Sequence, residues 1–310
     1  MTVLSTGLLT PGCAPGGTAG EDLSTRTIRV VATTSMIAEL VREVGGERVE
    51  VEGLMGPGVD PHLYKASEGD VARMSRADVI FYNGLHLEGK MAELFEQMGT
   101  LRIPTFPLAD AVPEDSLLMS EYFTGNYDPH IWFDASLWRL AIFRAAASLA
   151  SIDSSSAVFY RSNAVRYAQE VMAADRYVKE QLAALPREKR ILVTSHDAFG
   201  YFGRAYGFEV KGLQGLSTAA EAGTADVAAL ADFVAENRVP SLFTESSVSP
   251  RGIEAVRAAV RARGFEVRMG GTLYGDALGA PGSPAGTYSG MVRSNIDTII
   301  AGLTNPGAGS

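Results

Sequence analysis

The sequence predicts an α/β fold of two βα lobes, each a parallel sheet covered by helices, joined by one long spine helix. Three observations predict it. Short apolar runs alternate with stretches of helical spacing before residue 153, and such alternation implies parallel strands with helices on both faces. Asp153 to Leu185 then contains no Gly and no Pro, and Pro186 closes it. After it the strand–helix pattern begins again at Ile191. The expected division is a leader or flexible tail at 1–26, a first lobe at 27–152, the spine at 153–186 and a second lobe at 187–310.

In the first lobe, Ile28-Arg-Val-Val-Ala32 is an apolar run bounded by Thr-Thr-Ser and reads as a buried strand. Met36–Val44 has helical spacing and stops at Gly45-Gly46. Strands follow at 49–51, 78–82 and 103–108, with helices at 68–75, 90–98 and 132–150. A long acidic loop, Asp110–Asp128, leads into Pro129-His130-Ile-Trp.

The spine opens on Asp153-Ser-Ser-Ser156, side chains that accept bonds from the free N–H groups of a first helical turn. Ala164, Ala168, Val171, Val178, Leu182 and Leu185 recur at helical spacing, broken only by Asp175. In the second lobe, strands are expected at 191–193, 208–210, 241–243 and 266–269, with the last ending at Gly270-Gly271. Helices are expected at 199–206, 225–237, 251–263 and 291–303. The halves look related: the second strand of each runs into Val-x-Gly-Leu, at Val51–Leu54 and Val210–Leu213.

A length of 310 residues suits two domains, and 46% hydrophobic residues are enough for their cores. A net charge of −9 speaks against a nucleic-acid partner and suits a cationic ligand. No uninterrupted apolar run reaches membrane-spanning length. The one cysteine, Cys13, has no internal disulfide partner. Its setting, Leu8-Leu-Thr-Pro-Gly-Cys13, resembles the end of a bacterial lipoprotein leader, in which the Cys carries the lipid. The departures are the 12 residues before it, the lack of an opening Lys or Arg, and Thr10 where Leu is usual. An anchored Cys13 and an ordinary flexible N-terminus both stay open.

The chain has four histidines, His62, His86, His130 and His196, and each follows a predicted strand. That edge of an open α/β sheet is where ligands bind, and imidazole is a common ligand for borderline metals. Asp60-Pro-His62 and Asp128-Pro-His130 repeat one pattern, for which a shared turn type is the plain explanation. Local metal signatures, a dinucleotide fingerprint and a serine-hydrolase elbow are all absent, so any metal site must gather ligands from distant loops.

Four segments carry a resemblance: Asp60-Pro-His62-Leu-Tyr, Asp128-Pro-His130-Ile-Trp-Phe-Asp, Thr194-Ser-His196-Asp-Ala-Phe-Gly-Tyr-Phe and Leu273-Tyr-Gly-Asp276-Ala-Leu. From Thr27 to Leu303 the chain resembles the metal-binding solute receptors of bacterial ABC importers, nearest to the TroA type that binds zinc and manganese. The resemblance implies that His62, His130, His196 and Asp276 ligate one metal in the inter-lobe cleft, two from each lobe. It implies a membrane permease and an ATPase as partners, a location in the periplasm or at the outer face of the cytoplasmic membrane, and a monomer. His86 falls outside the ligand pattern, and Glu245 is expected to orient a ligand imidazole.

Zinc-specialised members carry a His-rich acidic loop, whereas the loop at 110–128 has no His before the second ligand's motif. Manganese-leaning members have Glu where this chain has His196. Three imidazoles and one carboxylate suit zinc by ligand softness, a bidentate Asp276 accommodates manganese, and iron(II) remains open. Two rival readings are a zinc-dependent hydrolase built on the same cluster and a surface adhesion protein. Four protein ligands fill a tetrahedron and leave no position for an attacking water.

Overall fold

A computed structural model describes residues 23–119 and 127–304. Cys13 and the rest of 1–22 lie outside the described residues, as does part of the acidic loop, whereas Arg26, placed in the tail by the sequence, pairs with Asp78 at 2.7 Å. The first lobe is built from β1 (Ile28–Ala32), α1 (Ser35–Gly45), β2 (Val49–Gly53), α2 (Glu68–Met74), β3 (Val79–Tyr82), α3 (Ala92–Thr100), β4 (Thr105–Pro107) and α4 (Ala135–Ile152). Its four strands run parallel in the order β2-β1-β3-β4. The central strands β1 and β3 are apolar because helices cover both faces. The edge strand β2 alternates Val with Glu and is only half covered. Thr34 caps α1, a Ser67–Asp70 capping box starts α2, and Asp134 caps α4.

α4 is apolar and long enough to cross a membrane by composition, yet half of it is buried inside the fold. Leu137, Trp138, Ala141, Ile142, Ala145 and Leu149 give it a core face.

The spine, α5, is one α-helix over Ala157–Leu182, 26 residues long. At 1.5 Å per residue it spans about 39 Å. It begins later than the sequence suggests, because Ser154–Ser156 form a tighter helical turn and Ser156 makes no side-chain cap. The capping chemistry is at Asp153 instead, which accepts from Ser155 Oγ at 2.6 Å and Tyr160 Oη at 2.7 Å. The helix ends at Leu182, where Arg190 donates to the carbonyls of Leu182 and Leu185. Asp175, the break in its apolar stripe, accepts from Tyr206 Oη and Lys179 Nζ.

The second lobe holds β5 (Ile191–His196), α6 (Gly200–Tyr206), β6 (Glu209–Gln214), α7 (Thr224–Glu236), β7 (Ser241–Glu245), α8 (Arg251–Ala262), β8 (Arg268–Leu273) and α9 (Tyr288–Thr304). Parallel ladders join β5 to β6 and β7 to β8, and β5 lies alongside β7. The spatial order β6-β5-β7-β8 repeats that of the first lobe, with the second lobe's strands hydrogen-bonded as two separate pairs. Gly270-Gly271 continue β8 and do not end it. A Cβ on Gly270 would meet the Phe243 ring at 2.5 Å, so glycine leaves room for that ring where the ladder shifts register.

One apolar cluster runs through both lobes, joining Val171, Val178 and Leu182 of the spine to Leu40 and Trp138 on one side and Phe243 and Ile296 on the other. The lobes share this core along α5, which is a packed support and not a free hinge.

Candidate metal centre

Four separate segments deliver the site. His62 lies in the loop after β2, His130 stands just before α4, His196 closes β5, and Asp276 follows β8. The structure brings all four together: one ligand atom from each lies within 4.8 Å of the others, and all four residues are buried. His62 Nε2 is 3.3 Å from His130 Nε2 and 3.8 Å from an Asp276 oxygen. Asp276 oxygens lie 3.4 Å from His130 Nε2 and 3.2 Å from His196 Nε2. Bonds of ~2.0–2.1 Å to a tetrahedral ion place ligand atoms about 3.4 Å apart, and these four separations of 3.2–3.8 Å lie near that value.

The two Asp-Pro-His segments share a turn. Asp60 Oδ1 accepts the His62 N–H and Asp128 Oδ1 accepts the His130 N–H, each at 2.9 Å. Their further contacts differ. Asp128 Oδ1 also lies 2.7 Å from His130 Nδ1, while Asp60 Oδ2 accepts from Thr218 of the second lobe. Behind His196, Glu245 Oε2 lies 2.8 Å from Nδ1. Two of the three imidazoles therefore have a carboxylate behind them that turns Nε2 toward the centre.

Burial holds His62 down, to about 3, by disfavouring the imidazolium. Burial acts the same way on His130, but Asp128 and Asp276 outweigh it and lift it to about 9. His196 is raised well above its usual value against its burial by Glu245 and Asp276. Asp276 resists the upward push of burial and sits well below the usual carboxylate range, held there by His196 and His130.

Both Asp276 oxygens and His196 Nε2 are buried without a hydrogen-bond partner. Buried polar atoms are costly when unsatisfied, and a cation at the centre would meet all of them at once. The frame around them is tied. Trp132 Nε1 donates to the Gly275 carbonyl at 3.0 Å, joining the neighbours of His130 and Asp276. Tyr201 Oη donates to the Asp128 carbonyl at 2.9 Å. Asn295 clamps Tyr274 through both its N–H and its carbonyl, and the Leu278 N–H donates to Ser35 Oγ. His86 stands apart, exposed, on the rim of a separate cavity of about 500 Å³ in the first lobe.

Over residues 30–302 the chain matches the family described as ZnuA, zinc-uptake complex component A, periplasmic. The chain belongs to this family. Its ZnuA-family relatives include the zinc-binding protein TroA of Treponema pallidum, 46% identical over 274 residues that cover 88% of each chain. The manganese-binding lipoprotein MntA of Bacillus subtilis is 44% identical over 276 residues, covering 89% of this chain and 90% of MntA. The solved structure of the periplasmic zinc-binding protein TroA from T. pallidum matches with a TM-score of 0.86 at 45% identity, covering 89% of this chain and 99% of that one. The two-lobe ZnuA-family fold thus holds from Val30 to Gly302.

Within this ZnuA-family fold, sequence reasoning missed the roles of Thr218 and of Glu88. Glu88 is buried and accepts from Thr33 Oγ1 and the Asn83 N–H, joining the ends of β1 and β3. For Asp128 the repeated Asp-Pro-His was the visible signal, although it could not tell the ring contact of Asp128 from the cross-lobe contact of Asp60.

Proposed function

We propose that this chain is an extracytoplasmic solute-binding protein that captures a divalent transition metal, zinc or manganese, and delivers it to the permease and ATPase of an ABC importer. It is a receptor and not an enzyme. His62, His130, His196 and Asp276 hold the metal between a first lobe of residues 27–152 and a second of 187–310, with 153–186 as the support. The observation that carries this reading is a buried cluster of three Nε2 atoms around a carboxylate with two unsatisfied oxygens. Four protein ligands suit binding, because a catalytic zinc keeps an open position for water. The metal is cargo: it enters as protons leave the imidazoles, and it is held by both lobes.

Three nitrogens and one oxygen favour zinc, and a second oxygen from Asp276 accommodates manganese. The protein works as a single copy, and an anchor through Cys13 would keep it at the outer face of the cytoplasmic membrane. The test of the ligand set is Asp276→Asn, which keeps shape and removes charge. Zinc affinity should fall by at least about 100-fold with an unchanged fold. Wild-type affinity in this variant would refute the assignment.

A further inference from the structure

We propose that Thr218 is a positioning residue for metal capture: through Asp60 it latches the second lobe onto the loop that carries His62, and so sets how fast the metal leaves. This rests on the four-residue site proposed above. Thr218 Oγ1 donates to Asp60 Oδ2 at 2.5 Å, and the other oxygen of the same carboxylate accepts the His62 N–H. Thr218 is itself buried. Its loop is shaped from within, as Gln214 Nε2 donates to the carbonyls of Thr218 and Ala220. Gln214 is the register partner of His196 across the β5–β6 ladder. A continuous path therefore runs from His196 through Gln214, Thr218 and Asp60 to His62, and it crosses from one lobe to the other.

His62 is the ligand that depends most on such a path. His130 has Asp128 behind its ring, and His196 has Glu245. Among the described residues no carboxylate stands behind His62 Nδ1, so its placement comes through its backbone turn. Of the four ligands it is also the most open, at 5% exposure against 0–1% for the rest, and Leu63 beside it is 45% exposed. His62 is therefore the ligand nearest to solvent. A buried donor left without its acceptor is costly, so the hydrogen bond from Thr218 to Asp60 is expensive to break. It holds the Asp60 turn, and the turn holds the ring.

The test is a stopped-flow release experiment on the full chain loaded with Zn²⁺ and challenged with excess chelator. Thr218→Val keeps the shape and deletes the donor. It should release zinc about 10–100-fold faster, with the association rate little changed. Thr218→Ser restores the hydroxyl and should release at the wild-type rate. Wild-type release from Thr218→Val, or release from Thr218→Ser as fast as from Thr218→Val, overturns the latch. His62→Ala is run in parallel and should release faster than Thr218→Val. Wild-type retention in His62→Ala would overturn the four-residue site, and the latch with it.

Discussion

Glu245 Oε2 lies 2.8 Å from His196 Nδ1, and neither side chain is reached by solvent. The other oxygen, Oε1, accepts the His196 N–H at 2.9 Å. Glu245 closes β7 and His196 closes β5, so one carboxylate bonds the backbone N–H of a residue on the neighbouring strand and stands against its ring. Glu245→Gln keeps the size and removes the charge behind the imidazole. Zinc affinity should fall about 10–100-fold, read by competition with a chelator of known affinity. An unchanged affinity would remove Glu245 from the account.

Metal binding should release protons. Without metal, Asp128 and Asp276 lift His130 to about 9, Glu245 and Asp276 raise His196 well above its usual value, and burial holds His62 at about 3. A metal at neutral pH must therefore displace protons from His130 and His196. Affinity rises with pH across the neutral range, by about tenfold per pH unit for each proton expelled. Calorimetry of zinc binding in two buffers of different ionisation enthalpy counts these protons. Equal heats in both buffers would contradict the prediction.

Asp153 should matter to stability and not to affinity. Its side chain is fully buried and binds Arg48, Ser155 and Tyr160 at the start of the spine. Burial pushes its carboxyl up, but those partners together with Ser156 outweigh it and hold the group well below the usual range. A depressed carboxyl adds stability above its unfolded value, about 4, and that stability is lost as pH falls toward the folded value. Asp153→Asn should cost about 2–4 kcal/mol in denaturant unfolding at pH 7, and its deficit should shrink in acid. A loss below about 0.5 kcal/mol would show that the network is not needed.

The two Val-x-Gly-Leu segments should respond differently to a methyl group. A Cβ on Gly212 would press on the backbone of Asp197 and come within 2.6 Å of the His196 carbonyl carbon. A Cβ on Gly53 would meet Ala38 at an ordinary 3.5 Å. Gly212→Ala should displace His196 and weaken zinc binding about tenfold or more, while Gly53→Ala should bind normally. Equal affinities in the two variants would contradict this reading of the close approach.

The strands of both lobes were legible because their apolar runs are short and sharply bounded, as in Val79–Tyr82 and at 191–193, although the second of these strands continues through the polar residues to His196. The spine was legible as a helix, but its first turn was not. Serines at 154–156 look like caps, yet the tertiary contacts of Asp153 with Arg48 and Tyr160 decide the geometry. Gly270-Gly271 read as a stop because local propensity does not register the Phe243 ring packed against them. At the centre, recurrence exposed the Asp-Pro-His turns and resemblance pointed to Asp276. Neither could expose Thr218, which carries no motif and acquires its contact with Asp60 only when the lobes face each other.

The most direct measurement is an equilibrium titration of the purified metal-free protein with Zn²⁺ and, separately, Mn²⁺ at one pH. The account predicts one ion per chain for zinc, bound tighter than about 1 μM, and loss of that binding in Asp276→Asn. If neither metal binds tighter than micromolar, the cluster of His62, His130, His196 and Asp276 is not a metal-capture site.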